Sequence, residues 1–449
     1  MKKEIKVVKK TIKPKKEIIK KDTTNKSTTI KKENIKTNTT KKDIIKKTDT
    51  IKKDNLKKES TQPQINIGMI GHVDHGKTSL TKALTGSWTD MHSEELKRGI
   101  SIRLGYADTT FYKIKTPNGI KYSNKEEGEI ISQRTISIVD APGHETLMTT
   151  MLSGAALMNG AILVVAANEE CPQPRTIEHL MALKFAGVQN IVVAQNKIDL
   201  VTKEKVIENY KKIKKFLKDY GFENAKIIPT SASFGANIDL LIEAIEETIP
   251  SPNLDLKKPL KMFVARSFDI NKPGTEIKKI KGAILGGSIS QGIVKIGDEL
   301  ELCPGIDGKT KIKVLSISTN KGLLNEAHAG GLIAIGTDLD PSIAQNDQLR
   351  GKILAKIDSL PKPTNQMKIK MTLFERMINF DPKNAELKIN DPLVLTIGTN
   401  TSVGFIKSIK KDELEINLKN EEILEINEKI AISKNINNQW RLIAYGEVI

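Results

Sequence analysis

The stretch Gly71-His72-Val73-Asp74-His75-Gly76-Lys77-Thr78-Ser79 fits the pattern G-x-x-x-x-G-K-[ST] without a mismatch. Residues 64–70 before it have the length and apolar character of a β-strand, and a helical pattern begins after it. The glycines let consecutive backbone N–H groups turn toward a phosphate chain, and the helix N-terminus adds partial positive charge. The sequence therefore predicts a phosphate-binding loop, in which Lys77 reaches the β- and γ-phosphates and the Thr78 hydroxyl ligates Mg2+.

The chain has 449 residues and only two cysteines, Cys171 and Cys303. Two thiols exclude a disulfide framework, cannot by themselves form a structural zinc site, and suit a reducing compartment. The longest uninterrupted apolar run, residues 161–167, is far shorter than the roughly 20 residues that span a bilayer. We therefore expect a soluble, cytoplasmic protein with about three domains and no membrane partner.

The net charge of +18 is concentrated in the first part of the chain. Residues 1–60 contain 22 lysines and 8 acidic residues, which leaves a net charge of only +4 for the other 389 residues. Because residues 1–62 also lack Gly, Arg, Phe, Tyr and Trp, we predict that they form a disordered, Lys-rich tail. Such a tail either attracts RNA phosphate without sequence preference or is a tolerated extension, and the sequence does not decide between the two.

Residues 63–254 alternate apolar runs of strand length with helical patterns. This alternation predicts a mostly parallel sheet with helices on both faces, whose ligands lie beyond the carboxyl ends of the strands. The predicted strands cover residues 64–70, 135–139, 161–167, 191–195 and 225–229. The predicted helices cover residues 77–84, 145–158, 174–185, 203–220 and 238–248.

Three polar motifs follow predicted strands of this region. Asp140-Ala141-Pro142-Gly143 offers an aspartate that can hold Mg2+ through water and a glycine amide that can meet a γ-phosphate. Asn196-Lys197-Ile198-Asp199 offers a carboxylate that could accept both N1–H and N2–H of guanine, a donor pair that adenine lacks. Ser231-Ala232-Ser233 can add a backbone N–H to guanine O6. Taken alone, the first two motifs are more often a turn and a helix cap, but their order after the phosphate loop predicts a guanine-nucleotide site.

A further loop, Arg98-Gly99-Ile100-Ser101-Ile102, lies between the phosphate loop and Asp140. Its one hydroxyl, on Ser101, could complete the Mg2+ shell only while a γ-phosphate is present. The loop would then be a switch that is ordered by the third phosphate. Standing alone, the same segment would be interpreted as a surface loop with an incidental serine.

Composition changes after Pro250-Ser251-Pro252. Short alternating runs with glycine-bearing turns, such as residues 261–266, 292–296, 299–302 and 311–318, predict a small β-barrel over residues 255–361. Pro361-Lys362-Pro363 marks a second break. The runs beyond it, at residues 366–374, 393–397, 401–407, 414–418 and 439–445, predict another barrel over residues 362–449.

This plan, with Gly71 to Thr78 and Asp140-Ala141-Pro142-Gly143-His144, is similar to the translational GTPases of the elongation factor Tu type. Within them, the chain resembles the gamma-subunit family of archaeal and eukaryotic translation initiation factor 2 over residues 64–449. The distinguishing stretches are residues 98–108, 152–163, 171–176, 266–275 and 336–342. The resemblance implies an α/β P-loop GTPase domain, with a mostly parallel sheet and helices on both faces, followed by two β-barrel domains.

The resemblance also implies a function and a set of site residues. The chain would hydrolyse GTP to GDP as it carries methionylated initiator tRNA to the small ribosomal subunit, in a heterotrimer with alpha and beta subunits. The positions that bind phosphate would be Asp74, His75, Gly76, Lys77, Thr78 and Ser79. Asp140 and Gly143, which begin and end the second motif, would complete this part of the nucleotide site. The positions that bind guanine would be Asn196, Lys197, Asp199, Ser231, Ala232 and Ser233.

By the same resemblance, Thr78 and Ser101 would ligate Mg2+, and Asp74 and Gly99 would occupy positions of a second, weaker Mg2+ site. His144 matches the histidine that orients the attacking water, with Val73 and Ile100 as its apolar screen. From the residues alone, His144 could equally be an ordinary residue at the start of a helix, since geometry decides such a role.

The chain departs from the family at two places. The switch hydroxyl is carried by Ser101, where the family usually has threonine. Many members have a four-cysteine zinc knuckle between the two switches, but residues 111–134 contain no cysteine. Residues 111–122, with Pro117-Asn118-Gly119 at their centre, predict a metal-free hairpin instead, so no zinc is expected.

Two other functions fit the same motifs. One is a GTPase subunit coupled to a metabolic enzyme of the sulfate-activating type, which would be indifferent to tRNA. The other is a carrier of a different aminoacyl-tRNA, either elongator or selenocysteinyl. Binding of several aminoacylated tRNAs in the presence of GTP and of GDP would distinguish the three.

Overall fold

A computed structural model describes residues 62–89, 104–142, 148–306, 308, 310–374, 386–437 and 439–449, which belong to one compact unit. The tail prediction lies outside the described residues. The predicted site residues Gly99, Ile100, Ser101, Gly143 and His144 also lie outside them.

The first part of the described chain is an α/β domain. Its strands are β1 (Asn66–Gly71), β2 (Gly105–Thr116), β3 (Gly119–Ser123), β4 (Glu129–Asp140), β5 (Gly160–Ala166), β6 (Ile191–Asn196) and β7 (Lys226–Pro229). Its helices are α1 (Lys77–Thr85), α2 (Met148–Ala155), α3 (Pro174–Phe185), α4 (Lys203–Asp219) and α5 (Ile238–Thr248). The five predicted strands and the five predicted helices are all present, with ends that differ by a few residues.

The seven strands form one sheet in the order β3-β2-β4-β1-β5-β6-β7. Neighbours from β4 to β7 run parallel, and β2 runs antiparallel to both β3 and β4. Strand β5 is buried along its whole length because each face is covered by helices. Leu163 and Val165 pack with α2, α3 and α4, whereas Ile162 and Val164 pack with α1 and α5. The prediction of helices on both faces is therefore confirmed.

Replacing Ile162 by alanine should destabilise this domain strongly. Ile162 is fully buried in β5, an interior strand of the sheet, so truncation removes apolar contacts and leaves a cavity. We expect the free energy of unfolding to fall by about 2–5 kcal/mol, measured by urea denaturation followed by circular dichroism. Ile131→Ala on β4 is the matched control, because Ile131 is half exposed and its loss should cost less than about 0.5 kcal/mol. Equal effects of the two variants would contradict this assignment of the core.

Strands β2 and β3 form the predicted hairpin, and residues 117 and 118 make the turn between them. Strand β4 begins at Glu129, six residues before its predicted start. Its first residues are mostly exposed and do not alternate between apolar and polar, so they lack the pattern of a half-buried strand, but they pair with β2 along its length. Within the described residues, no group of three or more His, Cys, Asp or Glu side chains is placed to hold a metal ion.

The second part is a β-barrel. Its strands are β8 (Lys261–Phe268), β9 (Ile284–Gln291), β10 (Ile293–Lys295), β11 (Glu299–Cys303), β12 (Thr310–Thr319), β13 (Gly322–Leu324), β14 (Glu326–His328), β15 (Leu332–Thr337) and β16 (Ile353–Lys356). Six of them close a ring in the order β11-β16-β8-β9-β15-β12, because β12 also pairs with β11. Strand β13 extends β12, and β10 and β14 form a separate ribbon. Aliphatic side chains such as Val264, Leu285 and Ile335 fill the interior.

The third part is a second closed barrel, as predicted. Its strands are β17 (Thr364–Leu373), β18 (Pro392–Ile397), β19 (Asn400–Lys410), β20 (Glu413–Glu422), β21 (Lys429–Ile436) and β22 (Gln439–Val448). They close in the order β17-β20-β19-β18-β21-β22. Among the residues that the structure describes, no helix has the length and apolar character needed to cross a membrane.

Both barrels contact the α/β domain. The backbone N–H of Asn320, beyond the end of β12, lies 3.4 Å from Asp108 Oδ2 on β2. Asn66 Nδ2 donates to Ser288 Oγ of the first barrel over 2.8 Å. From the second barrel, Arg441 Nη1 lies 3.4 Å from Glu178 Oε1 on α3. The three parts therefore share polar contacts that only the folded chain creates.

Candidate nucleotide site

The predicted motifs meet at one edge of the sheet. The register places Asp140 opposite Met69, and Val164 opposite Gly71. Farther along the sheet, Asn196 lies opposite Ala166, and Pro229 opposite Gln195. Because these strands run parallel, their carboxyl ends lie side by side, and the phosphate loop, Asp140 and the two base motifs leave the sheet at this common edge.

Two glycines are needed by the backbone of the phosphate loop. Gly71 has a φ of 143°, and a Cβ atom there would lie 2.3 Å from Val164 O. Gly76 has a φ of 89°, and a Cβ atom there would lie 2.4 Å from Asn196 Nδ2. Either side chain would collide with a neighbouring strand or loop, so the loop can pack this close to β5 and Asn196 only with glycine at both positions.

Lys77 is the first residue of α1, and its side chain is buried. Its Nζ donates to His72 O over 2.8 Å, so the ammonium group lies back across the loop instead of pointing to solvent. A buried ammonium is costly unless it is paired, and this position beside the loop amides suits a phosphate. Asp74 is exposed on the loop, with a left-handed φ of 60°, and Val73 is half-buried beside it.

Asn196 joins the phosphate loop to a base motif. Its Nδ2 donates to His75 O over 3.0 Å, and its Oδ1 accepts from the Ala232 N–H over 3.0 Å. The side chain is buried, so these bonds are protected from water. Sequence reasoning assigned Asn196 to guanine alone. The structure adds a second role, in which one amide fixes the distance between the two loops.

The other base-motif residues differ in exposure. Asp199 is exposed in a short 3-10 turn (Ile198–Leu200), and Lys197 before it has a φ of 61°. Ser231 is buried, and its N–H donates to Ala236 O over 3.3 Å, whereas Ser233 is exposed. An exposed carboxylate beside a buried backbone turn can meet the edge of a base that lies on the surface of the domain.

Asp140 provides a buried carboxylate at the end of β4. Its Oδ2 accepts from Thr89 Oγ1 over 2.7 Å, a contact that sequence reasoning missed because residue 89 belongs to no motif. The Thr78 hydroxyl at the start of α1 and the Asp140 carboxylate are both hard oxygen donors, the type that Mg2+ prefers.

Three histidines cluster at the phosphate loop, two within it and one on α3. His75 Nδ1 donates to Val164 O over 3.0 Å, and the rings of His72 and His75 are 5.3 Å apart. The third, His179 on α3, accepts from the Gly71 N–H over 3.2 Å. Burial lowers the pKa of His72 and of His75 below the usual histidine value. It lowers the pKa of His179 to about 3, so the ring is neutral. His179 is 108 positions from Gly71, and no sequence signal linked it to the loop.

Comparison with known families identifies two parts of the chain. Residues 62–251 match the elongation factor Tu GTP binding domain, and residues 365–448 match the C-terminal domain of initiation factor eIF2 gamma. Among solved structures, that of a bacterial selenocysteine-specific elongation factor is similar, with a TM-score of 0.68 and 29% identity. That alignment covers 86% of this chain and 58% of the other. Elongation factor SelB from Methanococcus maripaludis, at 24% identity and a TM-score of 0.65, shares the fold.

Curated relatives match over nearly their full length. A translation initiation factor 2 subunit gamma from Methanococcus maripaludis is 51% identical over 405 residues, which is 86% of this chain and 99% of the relative. The subunit from Methanocaldococcus jannaschii is 50% identical, covering 86% of this chain and 98% of the relative. The subunit from Pyrococcus furiosus is 49% identical, covering 86% of this chain and 97% of the relative. With its GTPase domain, its two barrels and its phosphate loop in place, the chain belongs to the translation initiation factor 2 gamma-subunit family and is a translational GTPase that hydrolyses GTP.

Proposed function

We propose that this chain carries methionylated initiator tRNA to the small ribosomal subunit in the cytoplasm, as the gamma subunit of a heterotrimer with alpha and beta subunits. It binds tRNA in the GTP-bound state and releases it after hydrolysis to GDP. We assign residues 63–254 to the GTP-binding domain and residues 255–361 and 362–449 to the barrels. The limits of the α/β sheet and of the two barrels support these boundaries.

The observation that carries the proposal is a cavity of about 180 Å3 between the GTPase domain and the first barrel. Its wall on the GTPase side is β2, which follows the predicted switch at residues 98–102. Rearrangement of that switch on loss of the third phosphate would therefore act directly on one wall of the cavity. This position suits a ligand whose affinity depends on the nucleotide.

The lining of the cavity suits the aminoacylated end of a tRNA. Tyr106 and Phe268 provide aromatic surfaces, and the Arg266 guanidinium lies 5.1 Å from the Phe268 ring while its Nε donates to Asp347 Oδ1 over 2.8 Å. Unpaired bases stack on aromatic rings and on guanidinium planes, and arginine pairs with phosphate. Leu332 and Ile333 add an apolar floor that could take an unbranched apolar side chain such as that of methionine.

The phosphate loop and the base motifs would bind GTP. Lys77 would neutralise phosphate charge, and the loop amides from Asp74 to Ser79 would donate to phosphate oxygens. Asp199 would accept from guanine, with Asn196 and Lys197 packed beside it and Ser231, Ala232 and Ser233 contributing backbone at O6. When bound, Mg2+ would stabilise the negative charge that develops on the phosphates during hydrolysis.

The residues proposed to hold Mg2+ are Thr78 and Ser101, with Asp140 acting through water and Asp74 and Gly99 at a second, weaker site. The buried Asp140 carboxylate and the Thr78 hydroxyl match this chemistry. For hydrolysis, we propose that His144 orients the attacking water, behind an apolar screen of Val73 and Ile100, while the Gly143 amide meets the γ-phosphate. The half-buried position of Val73 within the phosphate loop is consistent with that role.

Nucleotide-dependent binding of tRNA tests the function. We expect the full chain, assembled with its alpha and beta subunits, to bind methionylated initiator tRNA about 5–150-fold more tightly with a non-hydrolysable GTP analogue than with GDP, the usual range for two coupled ligands. Filter binding with uncharged initiator tRNA, methionylated elongator tRNA and selenocysteinyl tRNA provides the comparison. Equal retention of all four tRNAs, or no dependence on the nucleotide, would rule the proposal out.

The cavity itself is tested by Phe268→Ala. Loss of one aromatic stacking surface typically costs about 1–3 kcal/mol per base, so we expect roughly tenfold weaker tRNA binding with unchanged GDP affinity. Phe405→Ala in the second barrel is the matched control, because Phe405 is also partly exposed but lies on β19, away from the cavity. An equal loss in both variants would show that the tRNA end binds elsewhere.

A further inference from the structure

His179 lies at the boundary between α3 and the end of β1. Its side chain is 1% exposed, and its Nδ1 is 3.2 Å from the backbone nitrogen of Gly71. Gly71 is the last residue of β1 and the first residue of the phosphate loop. A buried side chain from a distant helix therefore bonds to the backbone at the point where the loop leaves the sheet.

This contact fixes the protonation state of the ring. The Gly71 N–H is a donor, so Nδ1 of His179 must be without a proton, and the neutral ring carries its hydrogen on Nε2. Burial lowers the pKa of His179 to about 3, and the positive charges of Lys77 and Arg175 act in the same direction. The ring is accordingly a permanent acceptor at physiological pH.

A second imidazole ring lies at the same end of β1. Gly71 pairs in register with Val164 on β5, and the Val164 carbonyl accepts from His75 Nδ1 over 3.0 Å. At the end of the β1–β5 pairing, two imidazole rings thus bond to the backbone. The His75 ring comes from within the loop and the His179 ring from α3. The direction in which the chain leaves β1 is then set by these two side chains in addition to the strand pairing.

We propose that His179 is a positioning residue for the phosphate loop, which acts by accepting the Gly71 N–H and so holding the start of the loop against α3. The proposal rests on the nucleotide site proposed above. His179 need not touch the nucleotide. By fixing the first residue of the loop, it keeps the amides that follow in the arrangement that a phosphate chain requires, because preorganised donors bind without the cost of ordering them.

The test uses two substitutions of different hydrogen-bonding capacity. In His179→Asn, the amide Oδ1 falls about where Nδ1 lies and can still accept, whereas His179→Leu fills similar space without an acceptor. We expect the leucine variant to release a fluorescent GDP analogue about tenfold faster than the wild type, because a buried N–H is left without its partner. We expect the asparagine variant to stay within about threefold of the wild type, since it keeps the bond.

Three controls make the result decisive. Thermal unfolding without nucleotide must show that both variants are folded, and His328→Leu, an exposed histidine on β14, should release GDP at the wild-type rate. Lys77→Ala in the same series tests the phosphate site itself. If Lys77→Ala is impaired but His179→Leu is not, or if folded leucine and asparagine variants are equally fast, the role of His179 is refuted and the site stands. If Lys77→Ala is unimpaired, the site itself is wrong.

Discussion

Lys77→Ala should lower the affinity for GTP and GDP by at least about 100-fold while the chain stays folded. Hydrogen bonds to charged groups contribute about 1.5–3 kcal/mol each, and in the proposed site the ammonium would reach two phosphates. The side chain is buried and its Nζ donates to His72 O, so it is held over the loop before any ligand arrives. Isothermal titration calorimetry with GDP would measure the loss, and circular dichroism would check the fold.

Lys82→Ala provides the matched control for this prediction. Lys82 lies on the same helix, one turn and a half farther along, and is exposed, with its Nζ 5.3 Å from the centroid of the Trp88 ring. Its removal takes away the same charge from the same helix, so a long-range electrostatic effect would appear in both variants. Similar affinities for Lys77→Ala and the wild type would contradict the phosphate-loop interpretation, whatever the control shows.

Asp199→Asn should change the base that the chain prefers, from guanine to xanthine. In the proposed site the carboxylate would accept two N–H groups of guanine, whereas the amide presents a donor that suits the O2 carbonyl of xanthine. Loss of two hydrogen bonds to a charged acceptor corresponds to roughly 100-fold weaker GTP binding or more. Because Asp199 is exposed in a short turn, the substitution should leave the fold intact.

Competition between GTP and XTP for a fluorescent GDP analogue measures this change in specificity. Asp239→Asn is the matched control, because Asp239 is also an exposed aspartate, in the first turn of α5 and outside the base motifs. It should keep the preference of the wild type for GTP. Undiminished selection of GTP by Asp199→Asn would mean that another group recognises the base.

Much of the site could be predicted because its signals are local. Glycine spacing in the phosphate loop, the lysine at its end and the motifs after β4, β6 and β7 each depend on a few consecutive residues. The apolar runs that correspond to β1, β5 and β6 can likewise be recognised from a few consecutive residues. The motifs lie at one edge of the sheet because their strands run parallel. The alternation of strands and helices along the sequence favours such a parallel sheet.

Other contacts could not be predicted because they join residues that are distant in sequence. Thr89 bonds to Asp140 across 51 positions, and His179 to Gly71 across 108. Neither Thr89 nor His179 belongs to a pattern that a short window could detect. The first half of β4 was missed for a different reason. Its residues are mostly exposed, show no alternation of apolar and polar side chains, and gain their strand conformation from pairing with β2.

The sequence by itself determined the α/β domain, the two barrels and the motifs proposed to bind the nucleotide, because periodicity and glycine placement act over neighbouring residues. Only the tertiary structure decided which helix supplies the acceptor for Gly71, how Asn196 ties His75 to Ala232, and that β2 and the first barrel enclose a cavity. These features depend on which faces pack together once the chain has folded. Packing brings side chains together by shape and hydrogen-bonding capacity. The distance between two residues along the chain does not indicate whether they will be in contact.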